Sequence, residues 1–165
     1  MHRTLLPLLA LAPLLACDLF NKVDADKAEQ LIQTILDKES IKAEEITCPD
    51  GQSTKKGTSF ECTAVVSGAE VHFTVEMVDD AGTALASPRD HTFPVAKLEP
   101  EIADNIRELG HTVAKLDCHG ELWVAVKGAV VTCDVTDEAG AQYLWTAEFT
   151  DNEGGHSHKL EPKAT

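Results

Sequence analysis

The sequence predicts an α+β protein of two tandem small domains, each an N-terminal helix packed on a three- to four-stranded antiparallel sheet with one disulfide. Three observations predict this fold class: an internal repeat, apolar residues that change from helical to strand spacing, and cysteines that recur at matching places. Hydrophobic residues make up 43% of the 165 residues and charged residues 25%, which is ordinary for a packed globular protein.

The chain begins with a segment typical of a secretory signal peptide. Residues 1–16 have a short basic start, a leucine-rich middle and a small residue at the end. The run Leu14-Leu15-Ala16-Cys17 resembles the lipobox of bacterial lipoproteins, in which the cysteine thiol receives a diacylglycerol and cleavage falls just before it. The alternative is a plain signal peptide with an incidental cysteine.

We therefore expect residues 1–16 to be a lipoprotein signal peptide, and residues 17–23 to be lipidated Cys17 and a short tether. Two or three acyl chains hold a protein stably on a bilayer, whereas one chain is marginal. The expected location is the bacterial cell envelope, on the periplasmic or extracytoplasmic face of a membrane. Asp18 resembles an inner-membrane retention signal of enterobacteria, but that rule varies among bacteria, so the choice of membrane stays open.

The formal charge of −14 limits the partners. Arg3 is the only charged residue of 1–16, so the charge becomes −15 once that segment is removed. Such a surface repels nucleic acids and anionic headgroups, and no long basic cluster offsets it. The expected partners are the membrane, through the lipid on Cys17, and an envelope protein.

The repeat divides the rest of the chain. Residues 68–82 (GAEVHFTVEMVDDAG) align without gaps on 140–154 (GAQYLWTAEFTDNEG), and KLEP occurs at 97–100 and again at 159–162. The predicted domains are 24–98 and 99–162, followed by a tail at 163–165.

Each copy is expected to start with an amphipathic helix. Residues 24–38 carry apolar residues at helical spacing behind Asp24, which is suited to the N-cap. Residues 100–110 have Pro100 in a place suited to the first turn and Gly110 as a stop signal.

Strands in which apolar and polar side chains alternate are expected after each helix. Residues 59–66 and 71–78 alternate apolar and polar side chains, which indicates an antiparallel sheet with one buried face. In the second copy Trp145 and Phe149 fall on the apolar face and are expected in the core. Trp123 lies in a hairpin more apolar than its counterpart, and an exposed patch there would suggest a partner site.

The chain has five cysteines, and four of them recur in the two copies. Three connectivities join four cysteines, and Cys48–Cys62 with Cys118–Cys133 is the economical one because it repeats within each copy. Each bond would close a loop of about fifteen residues and stabilise the fold by about 3 kcal/mol. Cys17 is then left without a partner.

These residues carry a family resemblance. The stretch 46–82, with Cys48-Pro49, Gly57, Phe60 and Cys62, resembles a small domain of unknown function in exported bacterial proteins and lipoproteins. The second copy keeps Cys118, Gly128 and Cys133 but departs from the pattern elsewhere. The resemblance implies a secreted, disulfide-bonded domain and no activity.

His156 and His158 form the sharpest candidate site. Alternate residues of a strand project to one face, so both imidazoles can reach one metal ion, with Asp151 or Glu153 completing the ligands. The alternative is a solvated pair in a glycine-rich polar turn, and the expectation is therefore no metal and no cofactor.

The predicted function is a non-enzymatic envelope lipoprotein whose modules bind or brace another component. One alternative is a metal-dependent hydrolase that uses His156 and His158 together with His119. A second alternative, from fold analogy alone, is a protease-inhibitor-like envelope module.

Overall fold

The computed structural model describes residues 22–163, which form ten antiparallel strands in three sheets and two helices. The elements in chain order are α1 (Ala25–Lys38), β1 (Glu45–Thr47), β2 (Ser59–Val66), β3 (Ala69–Met77), β4 (Ala84–Pro88), β5 (Thr92–Pro94), α2 (Val95–Glu108), β6 (Lys115–Cys118), β7 (Leu122–Val124), β8 (Val130–Thr136), β9 (Gln142–Phe149) and β10 (His156–Pro162). The predicted signal peptide and Cys17 lie outside the described residues.

The predicted fold class, two separate helix-plus-sheet domains, is wrong. Between residues 22 and 163 the fold is mostly antiparallel sheet, with ten strands and two helices of 14 residues each. A third, two-stranded sheet pairs β5 with β7. Leu122 and Trp123 on β7 are buried, so the backbone of this strand needs hydrogen-bonding partners, and β5 supplies them.

The first sheet has the strand order β1-β2-β3-β4, and α1 covers one of its faces. Ala28, Ile32 and Leu36 recur at helical spacing on α1 and are buried with the inward side chains of β2 and β3. The Asp24 carboxylate accepts a hydrogen bond from the Asp26 N–H at 3.2 Å. The predicted helix start is confirmed.

The second sheet has the order β10-β9-β8-β6 and packs against α2. The helix begins at Val95, five residues before Pro100, so the predicted start is wrong. Val95 is buried, and its N–H donates to the Glu121 carbonyl at 3.0 Å. A distant loop thus satisfies one of the free donors of this helix, which no local sequence signal reveals.

Strand β7 serves two hydrophobic cores. Its side chains alternate, so Leu122 enters the core under the first sheet while Trp123 enters the core under the second. Glu121, just before the strand, accepts from the Lys42 N–H at 2.8 Å and donates its own N–H to Ser67 Oγ at 3.0 Å. The two halves of the chain therefore share core residues and hydrogen bonds.

Part of the predicted repeat does not correspond in the structure. The KLEP run at 97–100 lies in α2, whereas the run at 159–162 lies in β10. The predicted boundary after Leu98 also falls inside α2.

Both halves contain a disulfide, with the pairing favoured from the sequence. Cys48 bonds Cys62 and Cys118 bonds Cys133, with Cα–Cα distances of 4.5 and 4.0 Å. A helix glutamate accepts a hydrogen bond from the first cysteine N–H in each case, Glu29 at 3.0 Å and Glu99 at 3.1 Å. Each disulfide is thereby tied to the helix that covers its sheet.

Neither α1 nor α2, the helices found between residues 22 and 163, has the length and apolar character needed to cross a membrane.

Candidate functional site

A cleft of about 220 Å³ opens between α2 and the β9–β10 side of the second sheet. Its walls are mostly apolar, with a few polar side chains among them. The lining residues are Phe93, Leu98, Glu101, Ile102, Asn105, Trp123, Val131, Trp145, Ala147, Phe149, Gly154, His156 and His158.

The helix side of the cleft is built from one stripe of α2. Leu98, Glu101, Ile102 and Asn105 follow the spacing i, i+3, i+4 and i+7, which places them on one face of the helix. Ile102 is buried and Glu101 is exposed, so the stripe runs from the hydrophobic core to solvent.

The sheet side is set by the register of β9 and β10. His158 lies opposite Ala147 and His156 lies opposite Phe149, so these side chains share one face of the sheet. The loop before β10 closes the end of the cleft at Gly154, where a Cβ atom would lie 2.4 Å from Phe93 Cζ. Glycine suits this position because its φ is +98°, a backbone conformation that residues with a Cβ rarely adopt.

Two stacked indoles differ in their hydrogen bonding. The rings of Trp123 and Trp145 lie 6.2 Å apart with an interplanar angle of 9°. Trp123 Nε1 donates to the His119 carbonyl at 2.8 Å. Trp145, only 4% exposed, has a buried Nε1 with no hydrogen-bond partner within residues 22–163.

Asn105 supplies the complementary unpaired group. Its Oδ1 is buried and likewise lacks a partner among the described residues. An unsatisfied buried polar group costs about 1–3 kcal/mol, and native proteins contain few of them. Two residues that line the cleft thus each hold one polar atom that is sealed from solvent and has no partner among residues 22–163.

The predicted histidine pair lies at this cleft. The ring centroids of His156 and His158 are 5.8 Å apart, and His158 stacks on Trp145 at 5.8 Å. Both histidines are exposed. Within the part of the chain that the structure describes, no group of three or more His, Cys, Asp or Glu side chains could hold a metal ion.

Asp151, proposed from the sequence as a further metal ligand, is engaged by its own loop. Its Oδ1 accepts from the Gly155 N–H at 2.8 Å and from the Glu153 N–H at 2.9 Å. The hydrogen bond from Gly155, followed by that from Glu153, holds the pKa of this carboxyl below its ordinary value even though desolvation opposes the shift.

His119 lies away from the pair. It does not line the cleft, and its Nε2 is 3.5 Å from Asp134 Oδ2. A hydrogen bond from Lys163 is the largest influence that lowers the pKa of Asp134. The three histidines of the hydrolase alternative therefore do not converge on one place.

Sequence reasoning found the histidines but missed Asn105. A signal for it exists: Asn105 follows Leu98 and Ile102 at helical spacing on α2 and interrupts the apolar stripe that they begin. A polar residue inside such a stripe indicates either a satisfied core contact or a binding site. Trp145 was expected only as a core residue, because no pattern reveals that its N–H lacks a partner.

A comparison with protein families matches residues 12–82 to a domain of unknown function (DUF4333). No curated protein and no solved structure matches the chain. The family match includes β1, β2 and β3 and ends before every residue that lines the cleft. Residues 12–82 of this chain carry a DUF4333 domain of unknown function.

Proposed function

We propose that the protein is a non-enzymatic binding module of the bacterial cell envelope, held on a membrane by lipid on Cys17, and that the cleft is its binding site. The observation that carries the binding function is an apolar cleft in which the exposed residues Glu101, His156 and His158 supply polar groups.

The chemistry of the lining favours binding over catalysis. None of the residues that line this cleft is a Ser, Thr, Cys or Lys that could act as a nucleophile. Its titratable groups are Glu101 and the histidine pair, which lie on opposite sides, on α2 and β10. A few polar groups among aromatic and aliphatic walls are typical of a recognition site.

The lipid anchor is supported by the use of the other cysteines. The chain has five cysteines, and the two disulfides take four of them. Cys17 is the remaining one, and it directly follows Leu14-Leu15-Ala16. The exported, oxidising location that a lipoprotein signal implies is one in which disulfides form and persist.

We also propose that the two halves are copies of one module. The disulfides span 14 and 15 residues, and a helix glutamate accepts from the first cysteine N–H in both. An aspartate organises the loop before the last strand of each four-stranded sheet, Asp79 before β4 and Asp151 before β10. The cleft belongs to the second half alone, so the copies would have different roles.

The anchor is tested by labelling cells with radioactive palmitate. The full chain should incorporate label and sediment with membranes, whereas Cys17→Ser should be unlabelled and released after export. Asp50→Ser is the control, because it places a serine at an exposed position and leaves all five cysteines unchanged. A Cys17→Ser protein that stayed membrane-bound after export would contradict the anchor.

The binding site is tested by photo-crosslinking in intact cells. The photo-crosslinker p-benzoylphenylalanine replaces His158, which lines the cleft. In the control it replaces Leu85, an exposed residue of β4. A discrete adduct at position 158 that is missing at position 85 is the expected result. Equal adducts at both positions, or none at position 158, would count against the cleft as a binding site.

A further inference from the structure

We propose that the cleft binds an arginine side chain of a basic partner protein, with the methylene stem against the apolar walls and the guanidinium on Glu101. This inference rests on the proposed binding function and names the chemistry that the partner presents.

Glu101 places an unpaired carboxylate in the cleft wall. It is exposed, and its helix has two basic residues, Lys97 and Arg107. Lys97 pairs with Glu39, and Arg107 pairs with Asp104 at 2.7 Å. No other ion pair in the described part of the chain involves Glu101. The cleft therefore offers a negative charge that a ligand can neutralise.

The walls beside Glu101 are apolar. Leu98 and Ile102 lie on the same stripe of α2, Phe149 lies on β9, and no lysine or arginine of the described chain lines the cleft. An occupant that fills this space removes water from the carboxylate, which costs free energy unless the occupant supplies a positive group. The side chain that fits has an apolar stem and a cationic end.

The size of the cleft favours one side chain over a whole small molecule. Its volume of about 220 Å³ is below the 300 to 1,000 Å³ typical of small-molecule sites. Lysine and arginine both combine a stem with a positive charge. Arginine suits this place better, because its guanidinium is planar, sheds water more readily than an ammonium group and can donate two parallel hydrogen bonds to a carboxylate.

Charge selects a basic protein as the source of that side chain. The net charge of −14 attracts such a partner and repels a second copy of this chain. A second copy also lacks a free arginine within its described residues. Arg89 pairs with Glu61, and Arg107 pairs with Asp104.

The test is an NMR titration of the full chain carrying Cys17→Ser with the blocked peptide Ac-Gly-Arg-Gly-NH₂. The chain has two tryptophans, and both line the cleft, so their indole N–H signals report its occupancy. A single side chain should bind with a Kd on the order of 1 mM, and both indole signals should shift as the cleft fills.

Two altered peptides separate the charge from the stem. Citrulline in place of arginine keeps the length but is neutral, and it should bind about threefold to tenfold more weakly. The analogue 2-amino-3-guanidinopropionic acid keeps the charge but has two fewer methylene groups. It should also bind about threefold to tenfold more weakly, because less of the stem covers the apolar walls.

Protein variants locate the ion pair. Glu101→Gln keeps the shape of the side chain and removes its charge, so the preference for arginine over citrulline should fall below about twofold. Glu108→Gln is the matched control, because Glu108 is an exposed residue of the same helix that does not line the cleft, and the preference should persist. The preference is a ratio measured on one folded variant, so a loss of stability does not imitate it.

Three results would overturn the proposal: no shift of the indole signals with the arginine peptide, equal binding of the arginine and citrulline peptides, or a preference that survives Glu101→Gln. If position 158 still crosslinks an occupant in cells, the arginine proposal fails alone and the binding function stands. If it captures none, both fail.

Discussion

At the scale of single residues, two aspartates hold matching loops. Asp79 Oδ1 accepts from the Ala81 and Thr83 N–H groups, both at 2.9 Å, as Asp151 does in its own loop. The side-chain hydrogen bond from Thr83, followed by its backbone N–H, holds the pKa of Asp79 below the ordinary value of 3.8. The folded state therefore favours the ionised form.

Because the pKa of Asp79 is lowered in the folded state, the effect of Asp79→Asn on the free energy of unfolding should depend on pH. The contribution of the carboxylate to stability is complete above the unfolded pKa of about 4 and is lost as the pH falls through the lower folded value. Asparagine keeps an acceptor oxygen but not the charge. The variant should be less stable than the parent at pH 7, and the difference should shrink below pH 3.8 in urea unfolding.

The control for that experiment is Asp50→Asn, since the exposed Asp50 carboxylate accepts no hydrogen bond within residues 22–163. It makes the same chemical change without removing a hydrogen bond, so it should change the free energy of unfolding at pH 7 by less than about 0.5 kcal/mol. A difference between the Asp79→Asn variant and the parent that is equally large at pH 3 and pH 7 would show that the charge is not what stabilises the loop.

At the scale of secondary structure elements, the three-residue strand β7 contributes to the stability of both hydrophobic cores. Leu122 is 5% exposed and belongs to the core under the first sheet, although the chain reaches it only after α2 and β6. The strand therefore closes a core that the preceding elements leave incomplete.

Leu122→Ala should lower the free energy of unfolding by about 2–5 kcal/mol, because it leaves a cavity in that core. Leu85→Ala makes the same change at a strand residue that is 64% exposed and should cost less than about 0.5 kcal/mol. Urea unfolding of the two variants measures both values. Similar losses in the two variants would mean that Leu122 does not complete the first core.

Helices and strands whose bounds depend on neighbouring residues could be predicted from the sequence. Those whose bounds depend on contacts with residues far along the chain could not. The start of α1 follows from Asp24 and the apolar spacing behind it, and the structure agrees within one residue. The start of α2 depends on a hydrogen bond from Val95 to the distant Glu121 carbonyl, so Pro100 was misleading. Strand β5 has 3 residues, too few for alternation to be recognised.

The candidate site also has parts that the sequence predicts and parts that depend on tertiary packing. The His156-Ser157-His158 alternation predicted that both imidazoles share one face, which the β9–β10 register bears out. The cleft itself requires knowing how α2 lies against β9 and β10, and the sequence carries no pattern for that. Asn105 and the free N–H of Trp145 emerge only from this packing.

At the scale of the whole molecule, the shared strand predicts one cooperative unfolding transition. Both tryptophans lie in the core under the second sheet, so their fluorescence reports on that core. The Leu122→Ala variant alters the other core, yet it should shift the fluorescence transition and the far-ultraviolet circular dichroism transition together. In the parent, the calorimetric and van't Hoff enthalpies should agree.

Two resolved thermal transitions would contradict this coupling. So would a fluorescence midpoint that stays unchanged in Leu122→Ala while the dichroism midpoint falls. Leu85→Ala, which should move neither midpoint, controls for a general effect of a smaller side chain.

The position of Leu122 also affects the order in which the chain can mature. Synthesis delivers α1 and the first sheet long before residue 122, so the part of their core that Leu122 covers stays open to other chains in the meantime. The Cys48–Cys62 bond needs no later residue and can restrain β2 during this wait. A chain truncated before β7 would keep its first disulfide and still be prone to aggregate.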